Sequence, residues 1–142
     1  MVEFARGIAN SGAVNQIVSV LALRMFNKPG LLLRIEGSAV LALSVILYRE
    51  LHFSWLLFAI LLLAPDLSMI GYLSGVRIGA SIYNLVHTLA VPLLLIGFAV
   101  LTARFSLLAY GLIWTAHIGM DRMLGFGLKY PTNFKDTHLQ RV

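Results

Sequence analysis

The chain of 142 residues contains no cysteine. Disulfides, thiolate metal sites and a catalytic thiol are therefore excluded, though the absence says nothing about compartment. Charge is scarce too: Asp, Glu, Lys and Arg make up 12% of the residues, where a soluble domain typically carries about 25%. So little polar surface cannot cover a water-facing exterior, and the mean hydropathy of +0.87 points to lipid as the solvent. Acids are the scarcest charge, 6 against 11 Lys and Arg. The resulting +5 does not signal nucleic acid, because the basic residues form no run and no aromatic-interleaved patch. They stand singly at the ends of apolar segments, as membrane anchoring requires. No cleaved signal peptide is expected either. The opening carries Glu3, Arg6 and small polar residues, and the stretch from Val14 to Phe26 lacks a cleavage site.

What the chain does have is hydrocarbon, at 59% apolar residues. A membrane-crossing helix needs about 20 residues, and four such runs can be read: Leu31 to Tyr48, Phe53 to Leu73, Ile78 to Thr102 and Phe105 to Phe126. Arg49-Glu50, Ser74-Gly75-Val76-Arg77 and Arg104 punctuate them. The expected fold is an all-α integral membrane four-helix bundle, each helix closing its own backbone hydrogen bonds. Residues 1–30 alternate apolar and polar positions at near-helical spacing and are too short to span, so a short interfacial helix is expected there. Residues 129–142 form a polar tail. Nine Lys and Arg fall on the side of the termini and the second loop, against Arg49 and Arg104 opposite. That bias predicts an inner-membrane protein with both termini cytoplasmic. No internal repeat supports an inverted-repeat transporter.

Five ionisable residues interrupt the apolar runs: Glu36, Asp66, His87, His117 and Asp121. Charge in hydrocarbon is costly and usually marks a shared polar interior. With the predicted orientation, all five fall in the cytoplasmic half, so every span contributes to one layer. His117 and Asp121 are four apart and share a helix face, and Asn84 and His87 are three apart. Helical bundles build metal sites from such inward-facing carboxylates and histidines. Asp66, His87, His117 and Asp121 are the candidate ligands, and nitrogen and oxygen donors without thiolate suit zinc, iron or manganese. Glu36 joins them as a candidate catalytic acid or base. Asn84, Arg122, Lys129, Tyr130 and His138 are candidate substrate contacts. Structural readings stand beside these. His87 can be an interior hydrogen-bonded histidine, Asp66 can pair with Arg122 or Arg77 or cap a helix after Pro65, and Glu36 can pair with Arg34 or Arg122. The tail can be a solvated anchor at lipid phosphates or can fold back over the cytoplasmic mouth.

Several stretches together resemble a known group: Leu33-Arg34-Ile35-Glu36-Gly37, Ala64-Pro65-Asp66-Leu67-Ser68, Tyr83 through Thr88, Ala116 through Arg122 and on through Leu139. They resemble a family of small bacterial four-span membrane proteins catalogued only as a domain of unknown function, a resemblance that implies no activity. A weaker similarity is to membrane-bound metal-dependent hydrolases of the LexA-regulated inner-membrane type, which carry Pro-Asp-x-Asp and His-Arg-x-x-Thr-His elements. Pro65-Asp66 matches the first element, with Ser68 in place of its second Asp. His87 matches the last histidine of the other, with Asn84-Leu85 near where His-Arg would stand.

The expected function is a metal-assisted hydrolase acting on a lipid or amphiphile from the cytoplasmic leaflet. The alternatives are a proton or cation transporter or channel, which would need a homo-oligomer, and a non-catalytic scaffold. Membrane lipids are the expected partners.

Overall fold

The computed structural model describes Val14, Gln16, Val18 and residues 28–142. The expected interfacial helix over residues 1–30 thus lies almost wholly outside the described residues; Val14, Gln16 and Val18 are helical and exposed. The remainder is all-helical, with five α-helices: α1 (Pro29–Glu50), α2 (Trp55–Leu61), α3 (Val76–His87), α4 (Ala90–Leu101) and α5 (Phe105–Leu124). A 3-10 helix, Ala64–Ser74, continues α2, and a short 3-10 turn, His138–Gln140, lies in the tail.

By length and composition, Pro29–Glu50, Trp55–Ser74 and Val76–Leu101 are long and apolar enough to cross a membrane. The fourth expected span, α5, is not among these three; it has 20 residues, about 30 Å at 1.5 Å per residue. It is the hub of the bundle, with α1 and α4 packed against it, while α3 packs on the 3-10 helix. Nine residues of α5 are buried, among them His117. A helix covered by its neighbours can carry polar groups that a lipid-facing helix cannot.

Local chemistry explains the ends and breaks. Pro29 opens α1, where its missing N–H costs nothing. Ser54 caps α2 by accepting from the Leu57 N–H at 3.4 Å. Two of the four spans are interrupted. The second changes from α to 3-10 around Pro65 and stays 3-10 for 11 residues, far beyond the usual three or four. The third breaks at Thr88-Leu89, where Thr88 is extended with ψ 136°. Pro92 lacks the N–H that would return to Thr88, so the break follows from the sequence. The indole N–H of Trp114 donates to the Val86 carbonyl at 2.7 Å and satisfies one group the break leaves over.

Two glycine features set the tail end of the bundle. A Cβ on Gly119 would lie 2.6 Å from the Leu41 nitrogen, and one on Gly37 would lie 2.9 Å from the Gly119 carbonyl oxygen. At this crossing α1 and α5 meet backbone to backbone. Gly125 closes α5 with a left-handed φ of 92°. The Phe126 N–H reaches back to the Asp121 carbonyl at 2.8 Å and the Gly125 N–H to that of Arg122 at 3.1 Å, the double hydrogen bond of a Schellman end.

That end turns the chain back onto the bundle, and the tail is not a solvated strand. Lys129 and Thr137 form an antiparallel bridge, and Lys129, Thr137 and Leu139 are buried. Asn84 on α3 clamps the hairpin, accepting from the Lys129 N–H at 2.7 Å and donating to the Lys129 carbonyl at 2.8 Å. Of the two readings of the tail, the solvated anchor is the one the structure contradicts. A polar tail can dock because Asn84 supplies both halves of a peptide-like pairing.

Candidate metal centre

The two interrupted spans and the hub helix meet at one place. Asp66 lies on the 3-10 helix, His87 is the last residue of α3, and His117 and Asp121 stand one turn apart on α5. Each offers one nitrogen or oxygen, and these four atoms lie within 4.8 Å of one another. His87 Nε2 is 3.1 Å from His117 Nε2 and 3.6 Å from both Asp66 Oδ1 and Asp121 Oδ2. His117 Nε2 is 3.6 Å from Asp66 Oδ1 and 3.7 Å from Asp121 Oδ2. The histidines are buried, 3% and 0% exposed, whereas Asp121 is 13% and Asp66 35% exposed. The cage is closed on three sides and reachable at Asp66.

These distances discriminate between bonding schemes. At 3.6 to 3.7 Å the carboxylates do not hydrogen-bond the imidazoles. Four ligands at about 2.0–2.1 Å around a tetrahedral ion stand about 3.3 Å apart. The five separations, 3.1 to 3.7 Å, bracket that edge. The four groups could therefore hold a divalent ion, and the one pair among them at hydrogen-bond distance is His87 Nε2 with His117 Nε2.

The surroundings fix the donors. The His87 Nδ1 lies 3.0 Å from the Tyr83 carbonyl, so a proton on Nδ1 leaves Nε2 with its lone pair toward the cage. Tyr83 stacks on His87 with ring centroids 3.7 Å apart and planes 11° from parallel. Its hydroxyl donates to Asp121 Oδ2 at 3.2 Å. Tyr83 thus holds two cage members, and the sequence reading left it out of the site. The signal was available, because Tyr83 and His87 are four apart on one helix face. His117 Nδ1 is buried with no hydrogen-bond partner among the described residues.

Other expected members lie elsewhere. Glu36 is exposed on α1 and outside the cage. Its neighbour Gly37 faces α5, and one residue along a helix is a turn of about 100°, so Glu36 points away from that contact. Its charge acts on the Arg122 guanidinium instead. Asn84 is occupied by the tail clamp. Tyr130 lies under the Arg141 guanidinium, 3.8 Å from its ring centroid, and His138 packs against Gly127. Arg122 and Asp121 line a cavity of about 10 Å³ beside His87, room for about one water. Ser68 Oγ is buried without a partner and is not a cage member.

Lys129 comes nearest to the cage from the tail. Its ammonium lies 3.5 Å from the Phe134 ring centroid and 4.6 Å from that of Tyr83, and it donates to the Phe134 carbonyl at 3.0 Å. Burial lowers its pKa from the ordinary lysine value, and the charges of Asp121 and Asp66 work against that shift. One cation therefore sits beside two carboxylates under an aromatic roof.

Residues 30–142 match the model of the family described as Domain of unknown function (DUF4260). The chain belongs to that family. The match takes in the four spans, all four cage residues and the tail hairpin, so the candidate centre lies wholly within the DUF4260 domain. Comparisons with curated proteins and with solved structures find no match. The family description names no activity, so a function has to be argued from the site itself.

Proposed function

We propose that this protein is a metal-dependent enzyme of the inner membrane, of hydrolase type, acting on an amphiphile from the cytoplasmic leaflet. The observation that carries the reading is the set of donor separations, 3.1 to 3.7 Å, among two histidines and two carboxylates. Two histidine nitrogens and two carboxylate oxygens make a donor set that suits zinc. When bound, such an ion polarises a carbonyl or phosphoryl oxygen and brings the pKa of a bound water near 7.

The chain's own residues divide the remaining work. His87, His117 and Asp121 are the buried donors. Tyr83 orients His87 through its carbonyl and Asp121 through its hydroxyl. Asp66, at 35% exposed, is the donor that can yield its position to water or substrate. Catalytic zinc sites keep such a position open, whereas structural sites do not. Lys129 adds a positive charge beside the centre, which favours an anionic reacting group. The positive-inside bias supports entry from the cytoplasmic side.

A second reading is favoured by the near-equality of the four histidine–carboxylate separations, 3.6 to 3.7 Å. A fully closed site would be a structural tie joining α3, α5 and the 3-10 helix in a non-catalytic membrane protein. Metal analysis of detergent-purified protein addresses both readings. One zinc per chain is expected, absent in His117→Ala and removed by a chelator. No metal at any pH, with unchanged thermal stability in His117→Ala, would sink both readings. Asp66→Asn separates them. An enzyme keeps metal through three donors but loses turnover of a chromogenic long-chain acyl ester, whereas a structural tie loses thermal stability and never turned the ester over.

A further inference from the structure

A second cavity lies against the cage on the side away from the tail. It measures about 290 Å³ and is lined by Leu61, Ala64, Pro65, Val86, Tyr110, Ile113 and Trp114. Pro65 precedes Asp66, Val86 precedes His87, and Ile113 and Trp114 lie one turn before His117. Three of the four cage residues therefore have chain neighbours in its wall. On α5 the distance from Trp114 to His117 is about 4.5 Å along the axis, so cage and cavity adjoin. The indole N–H of Trp114 is already taken by the Val86 carbonyl at 2.7 Å, so the lining side chains offer hydrocarbon apart from the Tyr110 hydroxyl.

We propose that this cavity holds the hydrocarbon chain of a single-chain amphiphile whose polar, cleavable end sits at Asp66, His87, His117 and Asp121. The proposal rests on the metal-enzyme reading for the polar end and adds the class of substrate. Size and position argue for this occupant. About 150 Å³ is enough to take up a benzene-sized apolar molecule. A cavity of about 290 Å³ holds part of one alkyl chain but not the two chains of a bilayer lipid. Its place on the bilayer-centre side of the cage matches an amphiphile with its head toward the tail end and its chain toward the midplane.

The physical role of the cavity is registration. In a bilayer a chain gains little by exchanging lipid neighbours for leucine and isoleucine, because both are equally apolar. What the walls of Ala64, Pro65, Ile113 and Trp114 supply is a fixed path, which sets the bond that reaches the cage. Selectivity then falls on the distance between chain and head.

Trp114 reports occupancy directly. The chain has two tryptophans, so Trp55→Phe leaves Trp114 as the single emitter. The detergent-purified variant is titrated with a fatty acid brominated at mid-chain, and Trp114 fluorescence is read. Saturable quenching is expected, competed by the unbrominated acid. It should weaken about tenfold or more in Ala64→Phe, which fills the cavity. Ile113→Phe is the second filling variant, and retained metal in either variant certifies an intact cage. Linear, non-saturating quenching, or quenching unchanged by both filling variants, would overturn the proposal. So would equal quenching by a brominated two-chain phospholipid. The titration needs no metal. Saturable binding in a protein without metal overturns the enzyme reading alone, and metal without saturable binding overturns this one alone.

Discussion

The two ends of the bundle solve the same packing problem in opposite ways. Away from the tail, α1 and α5 are separated by a large ring: Tyr48 is fully buried against Ala109, Leu112 and Ile113. Phe53, Trp55 and Phe58 surround that ring with centroids 5.0 to 5.5 Å away, and its hydroxyl donates to the Ser54 carbonyl at 2.7 Å. At the tail end the same helices touch without side chains, at Gly37 and Gly119. One end is filled with apolar volume and has its polar atom satisfied. The other brings backbone against backbone and gathers two histidines and two carboxylates in the remaining space. Burying such groups is unfavourable unless something pairs with them. The aromatic end is held by apolar packing, whereas the cage end is held by polar contacts among His87, His117, Asp121 and Tyr83.

The largest effect that would break this contrast is a side chain at the glycine crossing. A Cβ at Gly119 meets the Leu41 nitrogen and the Gly37 carbonyl, both backbone atoms that cannot move aside. Gly119→Leu should force α1 off α5 and cost folded protein outright. Size-exclusion chromatography in detergent should show an aggregated or unfolded product, and a monodisperse protein of normal melting temperature would refute the close crossing.

Next in size is the aromatic end. Tyr48→Ala removes a buried ring and should cost about 3–5 kcal/mol, the range for large aromatic truncations in cores. Tyr48→Phe loses only the hydrogen bond to Ser54 and should cost about 1 kcal/mol. Both should leave metal content unchanged, because Tyr48 and the cage lie at opposite ends. Metal lost along with stability would mean that the two ends are one cooperative unit.

The sequence carried much of this arrangement. Asp66, His87, His117 and Asp121 stand out as ionisable residues in hydrocarbon, and helix register puts them at one depth. Hydropathy marks three of the four expected spans, and α5 is recognisable by length and context. Glu36 belongs to the same depth but not to the cage. Depth is a one-dimensional reading, and only the rotation of α1, fixed at Gly37, decides which way Glu36 faces. The 3-10 stretch Ala64–Ser74 leaves no mark on hydropathy, which reads how apolar a segment is and not how many residues it has per turn. Tail docking depends on Asn84 and Lys129, 45 positions apart, a pairing no local pattern announces. Tyr83 shares a face with His87, four residues on, but its hydrogen bond to Asp121 spans 38 positions and follows from tertiary packing alone.

The tail clamp supplies a smaller effect. Asn84→Ala removes both hydrogen bonds to the Lys129 peptide and leaves a buried N–H and carbonyl unpaired, a cost of about 1–3 kcal/mol. That loss should be local. Limited proteolysis should cut between Leu128 and Gln140 faster than in the unaltered protein, with the melting temperature of the four spans little changed. Uncut protein would mean that Leu139 and Lys129 hold the hairpin by burial alone.

The smallest effect lies in the tail hairpin, at Asp136. Arg141 and Thr132 donate hydrogen bonds to its carboxylate, and these lower its pKa from the ordinary aspartate value. A carboxylate whose pKa is lower in the folded hairpin than in the open one stabilises the hairpin at every pH above the ordinary value. That contribution fades as pH falls from the ordinary aspartate value of about 3.9 through the lowered one. Asp136 lies at the surface beside the exposed Arg141, so the gain is small and screened by salt. The local reporter is the Tyr130 N–H, which donates to the Asp136 carbonyl at 2.9 Å. Its hydrogen-exchange protection, corrected for intrinsic rate, should decline over that acid range. In Asp136→Asn it should be low and flat, since the amide cannot gain or lose the charge that Arg141 reads. A decline that persists in Asp136→Asn would assign the acid sensitivity of the tail to another group. The hairpin would then depend on the cage beneath it, and the two ends of the molecule would differ less in kind than their packing indicates.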